Sequence, residues 1–227
     1  MDLGHFGKEY SGEKAIISLT SWKARINTVG LTIFNLLTTC PGFHIVLCLS
    51  SDEFPQKEKE LPKDLITLSN SKLVEILWVK RNYKALKKVL FTMSKYQTIP
   101  IISADDDCLY TCNYAEELYQ CYLKSNLKNA PITYNKVHGN PYITEGPCTL
   151  YPPKIATLFS ALVLPKLDIL SSQSGADDTL FEHIFKALKI QMQFCHPHEK
   201  LPLKFHTKVG ALNPSQYNNP YYTEYFA

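Results

Sequence analysis

The chain has 227 residues and a formal net charge of +3, with 45% hydrophobic and 20% charged residues. That length fits one large domain with an apolar core. So small a charge provides no clustered basic face for bulk nucleic-acid binding, although it leaves room for a basic pocket suited to a diphosphate.

The N-terminal stretch, residues 1–13, is polar and has no apolar h-region, so no secretory signal is expected there. Residues 15–19 form a short apolar run that reads as a buried strand. Val29, Ile33, Leu36, Leu37 and Cys40 then recur at helical spacing, with Asn27 or Thr28 as cap and Pro41-Gly42 as stop. Residues 43–49 read as a second strand, 52–61 as a short helix and 75–79 as a third strand. Leu86, Val89, Leu90, Met93 and Tyr96 give the next helical face, and residues 99–103 a fourth strand. Asn113 followed by Glu116 is a capping-box-like helix start. Residues 131–134 are a further strand candidate. Asp177 or Asp178 caps an amphipathic helix through Leu188, and residues 190–195 close the series as a strand.

Apolar strands alternating with helices predict an α/β fold with a mostly parallel sheet covered on both faces. Ligands of such sheets bind outside the carboxyl ends of the strands. That points to the loops after Leu19, after Val79 and after Ser103. The seven Cys are odd in number, sit largely in apolar runs and form no CxxC pair. They read as reduced, buried thiols of a cytoplasmic protein, with neither a disulfide framework nor a zinc site. Residues 26–51 are free of Asp, Glu, Lys and Arg, but Pro41-Gly42 splits them, so a membrane span is not expected.

The sharpest feature is Asp105-Asp106-Asp107, directly after the fourth strand. Three adjacent carboxylates at the end of a buried strand repel one another and call for a cation. Alternation along an extended chain would turn Asp105 and Asp107 to one side. Hard oxygen ligands suit Mg²⁺ or Mn²⁺, which commonly bridges carboxylates and substrate phosphates.

Asp105-Asp106-Asp107 after an apolar strand resembles the DxD motif of bacterial GT-A-fold glycosyltransferases. Ile17 to Trp22 with Arg25 is similar to their first strand and nucleotide loop, and Asn82-Tyr83-Lys84 to Lys88 to their diphosphate-facing segment. Gly175-Ala176-Asp177-Asp178-Thr179-Leu180-Phe181 resembles their acidic acceptor-side motif. The order of these motifs, from about residue 14 to about residue 215, carries the resemblance more than any one of them.

The resemblance implies a metal-dependent, inverting hexosyltransferase of polysaccharide biosynthesis. It would move a sugar from a nucleotide-diphosphate sugar to a glycan or lipid-linked sugar acceptor, and is compatible with peripheral membrane association. It implies a flexible segment at 1–13, a GT-A-like domain at 14–205 and an irregular tail at 206–227 packing on or near the site. Thr20, Ser21, Arg25, Lys84, Asp105 and Asp106 would hold the nucleotide-sugar. Asp107 and Asp105 would ligate Mn²⁺ or Mg²⁺, with His206 the third ligand ahead of His196 and His198. Asp178, or Asp177, would be the general base. Within the triplet, Asp106 is expected to point away and support the turn. Two other readings compete: a metal-dependent phosphoesterase or nucleotidyltransferase, and a catalytically degenerate nucleotide-sugar-binding scaffold. The loop Thr20 to Arg25 has no glycine, which argues against a nucleotidyltransferase.

Overall fold

A computed structural model describes residues 14–134, 141–142, 147–173, 177–196 and 202–205, excepting the side chains of 172–173, 177–179 and 204–205. Four strands lie side by side and parallel: β1 (Ile16–Thr20), β2 (His44–Ser50), β3 (Glu75–Val79) and β4 (Ile101–Ser103). β5 (Cys108–Tyr110) leaves this sheet and pairs antiparallel with β9 (Leu203–Phe205). β6 (Ile132–Thr133), β7 (Thr149–Tyr151) and β8 (Gln193–Phe194) complete the main sheet in the order β3-β2-β1-β4-β7-β6-β8. β7 runs against both neighbours, whereas β6 and β8 are parallel. The protein is thus an α/β domain on a mostly parallel, mixed seven-stranded sheet.

The strands are apolar on both sides because both sides are covered. Along β1, Ile17 and Leu19 enter one core with α1 (Val29–Thr39) and α4 (Tyr114–Lys124). Ile16 enters the opposite core with α3 (Lys87–Lys95), α5 (Pro153–Leu162) and α7 (Asp177–Ala187). β2 and β4 alternate the same way, Ile45 and Ile102 facing the first core and Val46 and Ile101 the second.

Local signals explain several helix ends. Asn113 accepts a hydrogen bond from the Glu116 amide at 3.1 Å, capping α4. Pro153 opens α5 at a position where no N–H is required. Gly42, at φ +84°, allows the chain to leave α1 for β2. Thr28 does not cap α1 through its side chain, because its hydroxyl donates back to Arg25 O at 3.0 Å.

Several expectations need correction. The helix expected over 52–61 is a single 3₁₀ turn, Lys57–Glu60, and the true helix is α2 (Lys63–Asn70), which follows Pro62. The strand expected over 190–195 is only Gln193–Phe194. The short strands β5, β7 and β9 and the helix α6 (Leu167–Gln173) were not read at all. The strands have three residues each and α6 seven, too few for a periodic pattern to emerge.

The Cys also depart from expectation. Cys121 on α4 and Cys195 after β8 form a disulfide across 74 residues of sequence, while Cys40, Cys48, Cys108, Cys112 and Cys148 remain thiols. Spacing alone cannot reveal a pair that only the fold brings together. No helix among the described residues is long and apolar enough to cross a membrane.

Candidate functional site at the carboxyl ends of β1 and β4

The chain moves outward from β1 through β2 to β3, then returns to place β4 on the other side of β1. The crevice beyond the carboxyl ends of β1 and β4 is therefore the switch point of the sheet, where open α/β folds bind ligands. The β1 loop, Ser21 to Arg25, and the Asp triplet both emerge there, because Ser18 of β1 pairs with Ser103 of β4.

The two loops are bonded to each other. Ser21 Oγ donates to Asp106 Oδ2 at 2.6 Å. Arg25 Nη2 lies 3.0 Å from Asp106 Oδ1, and Arg25 Nη1 pairs with Asp107 Oδ2. On the other flank Lys88 Nζ is 2.6 Å from Asp105 Oδ1. Lys88 is itself fixed in place where its carbonyl accepts a hydrogen bond from the Ser18 hydroxyl of β1. Among the described residues, three carboxylates thus face the Arg25 and Lys88 cations.

Burial grades the triplet. Asp106 and Asp107 are buried, whereas the Asp105 side chain is 25% exposed and is the carboxylate that meets solvent. Burial pushes the Asp106 carboxyl up to about 7, against the pull of the Arg25 guanidinium and the Ser21 hydrogen bond. Burial, with the charge of Asp105 adding to it, also raises Asp107. Desolvated carboxylates with insufficient counter-charge resist ionisation.

Asp105 and Asp107 converge, though not through strand alternation. β4 ends at Ser103, and the chain turns through Asp106-Asp107 before β5 begins. A carboxylate oxygen from each, with Cys108 Sγ, lies within 4.8 Å of the others. Burial holds the Cys108 thiol well above its ordinary range, so it stays protonated, and it donates to Asp107 Oδ1 at 3.5 Å. The remaining donors are two carboxylates, which fit a hard divalent cation such as Mg²⁺ or Mn²⁺.

The other sequence-derived residues fall as follows. Thr20 sits at the end of β1, where its hydroxyl donates to Cys48 O at 2.7 Å. Lys84 is exposed, with φ +51°, and its amide is held by Asn82 Oδ1. Trp22 is half-buried, and its indole nitrogen is buried without a hydrogen-bond partner among the described residues. α7 begins at Asp177, but the side chains of Asp177 and Asp178 lie outside the described residues, as do His198 and His206. His196 stands apart from the triplet's donor group, in a second one with Cys121 and Cys195.

Sequence reasoning missed the residues of α1 and β5 that shape the turn. Thr32 is fully buried, and its hydroxyl lies 3.0 Å from both Asp106 O and Cys108 O. Asn35 brackets Tyr110, donating to its carbonyl and accepting from its amide. Tyr110 stacks on Tyr114, and its hydroxyl accepts from the Asp105 amide at 2.8 Å. The one available signal was a polar Thr on the apolar stripe of α1 between Val29 and Leu36.

No protein-family model matches the chain, and no curated protein matches it. Among solved structures, a cytidylyltransferase from Leptospira borgpetersenii serovar Hardjo-bovis is similar at 12% identity, over 82% of this chain and 76% of that one, with a TM-score of 0.49.

Proposed function

We propose that the protein is a glycosyltransferase moving a sugar from a nucleotide-diphosphate sugar to a hydroxyl of a glycan or lipid-linked acceptor. The observation that carries this reading is the position of Asp105-Asp106-Asp107 at the switch point, with Asp105 and Asp107 converging and only Asp105 substantially open to solvent. The sequence resemblance to DxD-containing GT-A glycosyltransferases supports the same reading.

In glycosyl transfer, negative charge grows on the departing nucleotide diphosphate. A divalent cation held by Asp105 and Asp107 would neutralise it when bound. Asp106 has a different part. It ties the β1 loop to the triplet through Ser21 and Arg25, so it orders the nucleotide side of the crevice without facing the ligand. Lys88 sits beside Asp105 in the first turn of α3, where it can draw a diphosphate oxygen toward the site. The acceptor hydroxyl must lose its proton as it attacks. In this reading a carboxylate at the start of α7, Asp178 or Asp177, takes that proton. Inversion at the sugar carbon follows from a single displacement.

The deciding experiment is a thermal-shift panel of UDP-, GDP-, CMP- and TDP-sugars with and without Mn²⁺. One donor class is expected to raise Tm only when Mn²⁺ is present, and Asp107→Ala is expected to abolish that shift. If no donor binds, or if Asp107→Ala retains the Mn²⁺-dependent shift, the reading fails. Product analysis separates the chemistries: nucleoside diphosphate released from the donor fits sugar transfer, whereas pyrophosphate released from a nucleoside triphosphate supplied with a sugar phosphate indicates a nucleotidyltransferase.

A further inference from the structure

A second group of ligating side chains gathers where α4 meets the end of β8. Glu117 and Cys121 lie one turn apart on α4 and so share a face. Beyond β8 the chain continues beside β6. The Cys195 amide donates to Thr133 O at 3.0 Å and the His196 amide to Tyr134 O at 2.6 Å. This extended pairing holds Cys195 and His196 rigidly against α4. Cys121 Sγ, Cys195 Sγ and a ring nitrogen of His196 all lie within 4.8 Å of one another, and all three residues are half-buried.

The two sulfurs alone would account for a disulfide. They do not account for the imidazole held beside them. His196 Nε2 is 3.4 Å from Glu117 Oε2, and the ring lies 4.8 Å from that of Tyr134. Tyr134 Oη in turn donates to the same Glu117 oxygen at 2.7 Å. A carboxylate that holds an imidazole in place is the usual outer arrangement of a metal-bound histidine. Zinc binds thiolate sulfur at about 2.3 Å and imidazole nitrogen at about 2.0–2.1 Å, so ligand atoms this close need only small side-chain rotations to converge on it.

We propose that the reduced protein binds Zn²⁺ through Cys121, Cys195 and His196, with Glu117 orienting the imidazole, and that the disulfide is the oxidised form of the same site. The site is independent of the Asp triplet. In a reducing compartment the two cysteines are thiols. Zinc binding converts both to thiolates and releases two protons. Oxidation by a small-molecule disulfide runs through thiol–disulfide exchange. The two thiolates give up two electrons and join as Cys121–Cys195, the small disulfide is reduced to two thiols by those electrons and two protons, and Zn²⁺ is released. Metal and disulfide therefore exclude each other.

The test uses the full chain, reduced with a dithiol and then freed of it without air. Zinc is titrated against a chromophoric chelator, and Co²⁺ is added to a separate sample as a spectroscopic probe. The expected result is one more zinc on the reduced chain than on the oxidised chain, and a thiolate-to-cobalt charge-transfer band. Cys121→Ser and Cys195→Ser should abolish both signals, and Glu117→Gln should weaken zinc about 10–100-fold. Should a variant fail to fold, the wild type still decides. Bound zinc should protect Cys121 and Cys195 from alkylation, as read by peptide mass spectrometry. A reduced wild type that takes up no zinc, or zinc that leaves those two thiols as reactive as before, overturns the proposal. Unchanged zinc affinity in Glu117→Gln removes Glu117 from the site.

Discussion

Lys87 and Lys88 are neighbours in sequence and both are buried, yet they enter networks of opposite character. Lys87 is enclosed. Its ammonium reaches Glu53 at 2.8 Å, Asn82 at 2.8 Å and Ser50 at 3.4 Å, partners at or just beyond the ends of β2 and β3, and only 1% of its side chain is exposed. Lys88 meets Asp105, whose carboxylate keeps a quarter of its surface in water, 25% by side chain. Both lysines occupy the first turn of α3, where the helix dipole disfavours a cation, so each depends on the acid it meets. A network closed on all sides fixes loops. One that ends in a solvent-facing carboxylate can also exchange its partner for a ligand.

The comparison breaks most sharply at Lys87. Lys87→Ala leaves Glu53 facing a buried gap and should cost about 3–5 kcal/mol, read as a lower urea midpoint. Asp105→Asn tests the open network. It should shift that midpoint less than Lys87→Ala, because Asp105 already meets water, and under the proposed function should reduce turnover of the donor sugar about 10²–10³-fold. Equal stability losses in the two variants would show that the two networks do not differ in kind.

A smaller effect is expected on the turn that joins the triplet to β5. Thr32→Val removes the hydroxyl shared by Asp106 O and Cys108 O and should cost about 1 kcal/mol. Faster hydrogen exchange confined to residues 106–108 would localise the loss to that turn.

The opposite end of the sheet supplies a control. At the amino ends of β2 and β3, Glu75 pairs with His44, Tyr96 and Lys95. Burial alone would raise this carboxyl, but these hydrogen bonds outweigh it and hold it down at about 2, against an ordinary 4.5. A depressed carboxylate favours the charged folded state. Its contribution is complete above about pH 4.5 and lost as pH falls through about 2. Glu75→Gln should therefore flatten the pH dependence of stability in that acid window and, under the proposed function, leave donor binding at the far end of the sheet unchanged. Urea melts from neutral pH downward would show it.

The longer elements were legible in the sequence because each carries its own pattern. Ala15 to Leu19 is a near-continuous apolar run since both faces of β1 are covered, and Val29, Ile33 and Leu36 repeat at 3.6 residues because α1 packs on one side only. The placement of Asp105-Asp106-Asp107 after an apolar strand could be read the same way. Short strands could not. β5, with three residues, is defined by its partner β9 far along the chain.

The split of work inside the triplet was read only in part. The sequence set Asp106 apart from Asp105 and Asp107, but gave no sign that Asp107 is buried while Asp105 meets water. That follows from the turn through Asp106-Asp107 and from Ser21, Arg25 and Lys88 arriving from distant elements.

What the sequence determined by itself is local: which segments are strands or helices, where caps and prolines bound them, and that three carboxylates follow the fourth strand. Hydrophobic periodicity and capping act within a few residues, so they are written in neighbouring letters. Only the tertiary structure decided that β4 returns beside β1, that Lys87 is enclosed while Lys88 faces an open carboxylate, and that Cys121 meets Cys195 next to His196. Each of these is a contact between segments far apart in the chain, and the chemistry it allows exists only once the sheet has brought them together.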